Sequence, residues 1–120
     1  MTGKLTTHVL DTVRGCPAAG MTIELWSIDS QYGEKTLLKA IITNADGRTD
    51  DPVLVDEAFK VGIYELVFVV DRYFAQYLHL LPNPPFLDRI PIRFGIADLN
   101  AHYHVPLLAS PWAYSTYRGS

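Results

Sequence analysis

The sequence predicts an all-β domain, an antiparallel β-sandwich with one short helix. Three observations carry that expectation. Short runs alternating apolar and polar residues recur between glycine, proline and aspartate turn signals, giving roughly seven or eight strands. Strand-favouring side chains are plentiful, among them 7 Tyr and 5 Phe. Only one stretch places apolar residues at helical spacing. With 120 residues the chain makes a single domain, residues 1–120, large enough to bury a core without covalent staples.

Taken in order, Leu5 to Asp11 is a strand with Thr6, His8 and Leu10 on one face and Leu5, Thr7 and Val9 on the other. Arg14 to Gly20 carries glycine and proline punctuation and reads as a loop. Met21 to Ile28 sets Met21, Ile23 and Leu25 against Thr22, Glu24 and Trp26, the pattern of a half-buried strand. A polar turn over Asp29 to Lys35 leads to a third strand, Leu37 to Thr43, closed by the Asp46-Gly47 turn signal. Arg48 therefore leaves a tight turn at a sheet edge. Pro52 to Lys60 is a short strand or a connection, and Gly62 to Val70, the most apolar run, is a central strand. Phe74, Tyr77, Leu78 and Leu81 mark Arg72 to Leu81 as the helix, about two to three turns long, with Pro82 ending it. Ile90 to Ala97 alternates again, and two last strands follow, broken at Ser110-Pro111.

Bulk properties exclude several classes. Hydrophobic residues at 48% and charged residues at 19% are ordinary globular composition, and a net charge of −3 invites neither nucleic acid nor an anionic membrane. No apolar run reaches the ~20 residues that span a bilayer. Cys16 is the sole cysteine, so no disulfide can form within the chain and a reducing compartment is the simplest reading. With no signal-peptide pattern at the start, a soluble cytoplasmic protein is the expectation, and nothing marks Cys16 as an activated nucleophile.

The stretch from His102 to Ser120 stands apart. On a strand, His102, His104 and Pro106 share one face while Tyr103, Val105 and Leu107 share the other. The second set has a core to join. The first set, with Leu108 farther along, puts imidazoles and an apolar group on a face that suits neither solvent nor core. Strand-forming residues then run through Trp112, Tyr114 and Tyr117 almost to Ser120, which suggests an end with a fixed place. This stretch reads as one wall of a site.

Leu5-Thr-Thr-His8-Val-Leu-Asp-Thr, Gly47-Arg48, and His102-Tyr-His104-Val-Pro-Leu-Leu through Tyr114-Ser-Thr-Tyr117-Arg118-Gly119-Ser120 resemble the 5-hydroxyisourate hydrolases, the transthyretin-related protein family. The resemblance covers the whole chain, departing only at Ala109 and Trp112, where another leucine and another aromatic are common. It implies a transthyretin-like sandwich of two four-stranded sheets with one short helix. It further implies a homotetramer, a dimer of dimers with sites at the dimer–dimer contact. The implied reaction converts 5-hydroxyisourate to 2-oxo-4-hydroxy-4-carboxy-5-ureidoimidazoline without metal or cofactor. The implied catalytic residues are His8, Arg48, His104 and Ser120, with Leu108, Tyr117, Arg118 and Gly119 binding substrate. A neighbouring subunit over the face bearing His104, Leu108 and Tyr117 would also account for its mixed character.

The chemistry suits those residue types. Adding water to a ring carbonyl and breaking the adjacent C–N bond needs a base, donors for the developing oxyanion, and a grip on a planar heterocycle. A neutral histidine titrates in the right range, and two imidazoles beside Arg48 resist double protonation. Each residue also has a plainer reading. His8 alone is an ordinary strand histidine, Arg48 a solvated turn residue, His102 structural or peripheral, and His79 solvent-facing. His102 and His104 with His8 could instead ligate a metal, although no Cys, Asp or Glu accompanies the pair. The competing function is a transthyretin-like carrier of a small aromatic ligand in the channel between dimers. Its channel would want small apolar groups where this chain has His8, His104 and Tyr117.

Overall fold

A computed structural model describes residues 2–79 and 81–119. Among the described residues, nine strands, one α-helix and one 3-10 turn occur in the order β1 (Lys4–Asp11), β2 (Cys16–Pro17), β3 (Thr22–Ile28), β4 (Lys35–Ile42), β5 (Leu54–Val55), the 3-10 turn (Asp56–Ala58), β6 (Gly62–Phe68), α1 (Val70–Ala75), β7 (Ile90–Ile96), β8 (His102–Ala109) and β9 (Tyr114–Thr116). They form two sheets. One runs β2-β1-β8-β9, with β5 also paired to β1, and the other runs β4-β3-β6-β7. The expected pair of four-stranded sheets is thus present, with one two-residue strand added to the first.

The core lies between the sheets because each strand turns its alternate apolar residues inward. Leu5 and Val9 of β1, Ile23 and Leu25 of β3, Leu66 and Phe68 of β6, Ile90 and Ile96 of β7, and Val105 and Leu107 of β8 are all buried there. Fully burying such a side chain contributes about 1.5–3 kcal/mol, so this alternation decides the architecture. It also fixes which residues face outward on β1 and β8.

Two expectations need correction. The sandwich is not wholly antiparallel: β1 and β8 pair in parallel over their full length, from Lys4↔His102 to Asp11↔Ala109. Nearly the whole chain separates these strands, so no hairpin constrains their relative direction, and the route through the other sheet sets it. The helix is also shorter and earlier than its spacing suggested. It covers Val70–Ala75 instead of Arg72 to Leu81, and the strand before it stops at Phe68. Val70, Tyr73 and Phe74 supply a buried face at i, i+3 and i+4, which lets the helix begin as soon as β6 ends. Past Ala75 the amides of Gln76 and Tyr77 bond three residues back, to Tyr73 (3.2 Å) and Phe74 (3.0 Å), in a tightened last turn. Leu78 and Leu81 still pack on the core, but from the turn and loop.

The helix is tied to β1 from within. Tyr73 donates to Oδ2 of buried Asp11 (2.8 Å), whose Oδ1 accepts the amides of Val13 (2.9 Å) and Arg14 (3.0 Å).

Candidate active site

The outer face of the β1–β8 pair carries the site. Parallel register sets Thr6 beside His104, His8 beside Pro106 and Leu10 beside Leu108, and burial of Leu5, Thr7 and Val9 turns Thr6 and His8 outward. His102 and His104 lie on the same face with ring centroids 6.1 Å apart. Between them stands Thr6, its Oγ1 at 2.6 Å from His102 Nε2 and 2.8 Å from His104 Nδ1.

Arg48 reaches this face along the free edge of β1. Three segments cover that edge in turn: β5 at Lys4 and Leu5, a backbone bridge between Arg48 and His8, and β2 at Leu10 and Asp11. The turn before Arg48 is folded by Asn44. Its Oδ1 accepts the amides of Asp46 (2.9 Å) and Arg48 (3.2 Å), and its own amide donates to the Arg48 carbonyl (2.7 Å). Gly47 has φ +73°, and a Cβ there would meet the Val9 carbonyl oxygen, so only glycine lets the turn lie flush on β1. The Val9 amide then donates to the Gly47 carbonyl (2.8 Å), and His8 donates from Nε2 to the Asp46 carbonyl (2.9 Å).

The end of the chain closes the opposite side. β9 pairs with β8, and the Gly119 amide donates to the His104 carbonyl (2.7 Å). A Cβ on Gly119 would sit 2.8 Å from His104 Cδ2, so glycine is what allows the backbone to run against the imidazole. Two clefts open here. One, of about 450 Å³, is lined by Lys4, Thr6, Arg48, His102 and His104 among others. The other, of about 850 Å³, is lined by Ala101, His102, His104, Tyr117, Arg118 and Gly119. The histidines of β8 form the ridge common to both.

Burial and the neighbouring cations set the electrostatics. Burial first, and then the Arg48 guanidinium, holds the His104 pKa below the ordinary imidazole value, with His102 and His8 adding to the effect. His8 is lowered for the same two reasons, with its hydrogen bond to the Asp46 carbonyl opposing. His102 is lowered by burial and by Lys4. The cluster thus favours neutral imidazoles beside a cation, groups chemically suited to serve as a base and as a partner for an oxyanion.

His8 on β1, Arg48 after the turn, His104 on β8 and Gly119 beyond β9 are therefore brought to one face. His8 lies outside the lining of either cleft, and Tyr117 lines the larger one, 60% exposed. Leu108 is half-buried on the same face but lies past Pro106, outside the lining of either cleft. Arg118 lines the larger cleft, yet its guanidinium lies 4.3 Å above the ring of Tyr103, a residue of the inner face. Ser120 lies outside the described residues. His79 is exposed, just beyond the helix. Among the described residues no group of three or more His, Cys, Asp or Glu is gathered to hold a metal. Sequence reasoning missed Thr6 and Asn44. The position of Thr6 two residues before His8 put it on the right face, but nothing local linked it to β8.

Comparison with known proteins places the chain among relatives. A model of the HIUase/Transthyretin family matches residues 5–119. The chain is 53% identical over 120 residues to a 5-hydroxyisourate hydrolase of Halalkalibacterium halodurans, covering 100% of both chains. It is 52% identical over 118 residues to the Pseudomonas aeruginosa enzyme of that name, covering 98% of this chain and 92% of the other. Among solved structures it resembles an (S)-allantoin synthase, with TM-score 0.90 and 48% identity over 98% of this chain, but it spans only 44% of that longer protein. It also resembles sea bream transthyretin in complex with thyroxine, with TM-score 0.85 and 24% identity, covering 97% of this chain and 94% of the other, a likeness of fold.

Proposed function

The chain belongs to the HIUase/Transthyretin family, and on that premise we propose that its outer β1–β8 face hydrolyses 5-hydroxyisourate to 2-oxo-4-hydroxy-4-carboxy-5-ureidoimidazoline. The observation that carries this reading is the meeting of His8, Arg48 and His104 on one sheet face, with both imidazoles held toward their neutral forms. His8 and His104 flank the substrate and one of them takes a proton from water. The resulting hydroxide adds to the ring carbonyl, Arg48 stabilises the oxygen that becomes negative, and collapse of the adduct breaks the adjacent C–N bond as the leaving nitrogen takes up a proton. Tyr117 and Leu108 serve as walls, Arg118 and Gly119 as binding groups, and Ser120 positions the water or a substrate edge.

Assembly as a homotetramer, a dimer of dimers, is part of this reading. A partner laid over the outer face would bring Leu108 to the substrate and enclose clefts that a single chain leaves open. No helix of the described residues is long and apolar enough to cross a membrane, and we place the enzyme in the cytoplasm. The carrier alternative rests on the likeness to transthyretin, which speaks for fold alone. Two half-buried histidines and Arg48 on the face weigh against it.

The test follows 5-hydroxyisourate, freshly made from urate and uricase, by its ultraviolet decay. The protein is expected to outpace buffer. Single His8→Asn and His104→Asn variants, with assembly checked by light scattering, are expected to lower turnover by about 100- to 10,000-fold for the residue that serves as base. Near-normal rates in both variants would overturn the residue assignment, and a correctly assembled wild type no faster than buffer would overturn the activity.

A further inference from the structure

We propose that Thr6 and His102 are positioning residues that, through the Thr6 hydroxyl, set the tautomer of His104 and draw off the proton on its Nδ1 as its Nε2 takes one from water. The inference rests on the hydrolase reading and deepens it by making His104 the base.

The geometry is a chain of two hydrogen bonds, His102 Nε2 to Thr6 Oγ1 at 2.6 Å and Thr6 Oγ1 to His104 Nδ1 at 2.8 Å. A hydroxyl has one proton, so when it donates to one ring nitrogen it must accept from the other. Two senses exist. In the first, Thr6 donates to His102 Nε2 and accepts from His104 Nδ1–H, which leaves the lone pair of His104 Nε2 free to act as base. In the second, His102 Nε2–H donates to Thr6 and Thr6 donates to His104 Nδ1, which makes His104 Nε2–H a proton donor. Either way Nδ1 is engaged, and only Nε2 can exchange a proton with a reactant.

Passing from the first sense to the second is a balanced proton transfer. His104 Nε2 takes a proton from water as the hydroxide oxygen bonds to the ring carbonyl carbon. His104 Nδ1 gives its proton to Thr6 Oγ1, and Thr6 gives its own to His102 Nε2. His104 ends neutral with a proton on Nε2, His102 ends as an imidazolium, and no atom or charge is left over. When the C–N bond breaks, His104 Nε2–H protonates the leaving nitrogen. The reverse shift along the chain then restores both rings.

Charge placement gives the transfer a reason. Beyond burial, His104 is disfavoured as a cation by Arg48, His102 and His8, whereas His102 is opposed only by Lys4. Asp50 and Asp51 line the smaller cleft together with His102, and Arg118 lines the larger one. Moving the positive charge two residues back along β8, from His104 to His102, takes it away from Arg48 and leaves that cation to the oxyanion. His8 has no such outlet, because its Nε2 is committed to the Asp46 carbonyl.

Thr6→Val removes the hydroxyl at nearly constant shape, and Thr6→Ser keeps it. Thr6→Val is expected to lower kcat by about ten- to a hundredfold, the worth of a hydrogen bond to a charged group, with KM little changed. Thr6→Ser is expected to restore most of the rate. Adding His102→Asn to Thr6→Val should cost little more than either change alone, as for residues acting as one unit. The decisive readout is kcat in H2O/D2O mixtures, curved in wild type where several protons move together and linear in both Thr6→Val and His102→Asn. If His104→Asn is inactive while Thr6→Val and His102→Asn keep wild-type kcat and the curved profile, the proton path is wrong and the hydrolase reading stands. If His104→Asn keeps full activity, His104 is not the base and this inference fails, while the hydrolase reading stands if His8→Asn is inactive and falls in its residue assignment if His8→Asn is active too.

Discussion

Replacing Arg48 by Gln should act twice through one charge. In the proposed mechanism the lost guanidinium stabilises the oxyanion, so kcat/KM is expected to fall by about 100- to 1,000-fold. The same cation holds His8 and His104 below the ordinary imidazole value. Its removal must therefore shift the acid limb of the remaining pH–rate profile upward, toward the reference value near ~6.5. A limb that stays in place would mean that Arg48 does not face the base. Gly119 makes the complementary case, since its substitution adds one carbon and no charge. With a Cβ at 2.8 Å from His104 Cδ2, Gly119→Ala must push the chain end off β8 or rotate the imidazole. Turnover is expected to collapse while the urea midpoint changes little, because Gly119 lies beyond β9 and outside the core.

β1 is the element on which the site depends, and its open edge shows why. β5, the Asn44–Arg48 turn and β2 divide that edge among themselves. An unpaired edge is thereby covered, and the covering segment delivers Arg48 to His8. Gly47→Ala should lower stability by more than about 1 kcal/mol, because φ is positive there and a Cβ would meet the Val9 carbonyl. A Gly47→Ala variant with unchanged urea midpoint would refute the flush packing of the turn. At the far end of β1, Tyr73→Phe would strip Asp11 of the donor that ties α1 to the strand. Losing a partner of a buried carboxylate costs about 1–3 kcal/mol, and a urea titration reads it directly.

Across the whole molecule, the three lowered histidines link stability to acidity. In the folded chain His8, His102 and His104 give up their protons at lower pH than free imidazole does. Between those values and ~6.5 the unfolded chain binds more protons, so stability rises with pH across that window. Acidification from pH about 7.5 to about 5.5 is therefore expected to lower the urea midpoint, and replacing the three by Gln should flatten that dependence. Assembly has its own test. If the chain assembles as the proposed tetramer with a partner over the outer face, Leu108→Arg should split it into dimers by light scattering and abolish turnover with it. An intact tetramer would place the interface elsewhere.

Alternation alone made most of the fold legible. The alternating sets on β1, β3, β7 and β8 are local period-two patterns; they grouped Thr6 with His8 on one face of β1 and turned His104 away from the core. Asp46-Gly47 likewise announced the turn before Arg48. The helix was misplaced because Tyr77 and Leu78 fit its period, although the buried anchor Val70 lies before the predicted start. What no local pattern contains is which strands become neighbours. Thr6 and His104 lie 98 residues apart, and their hydrogen bond exists only because the two sheets bury a common core that forces β1 and β8 side by side in parallel. Residue type and periodicity decided which side chains face outward. Strand pairing and register, which the burial of the whole chain selects, decided that a threonine stands between two histidines and that Arg48 completes their circle.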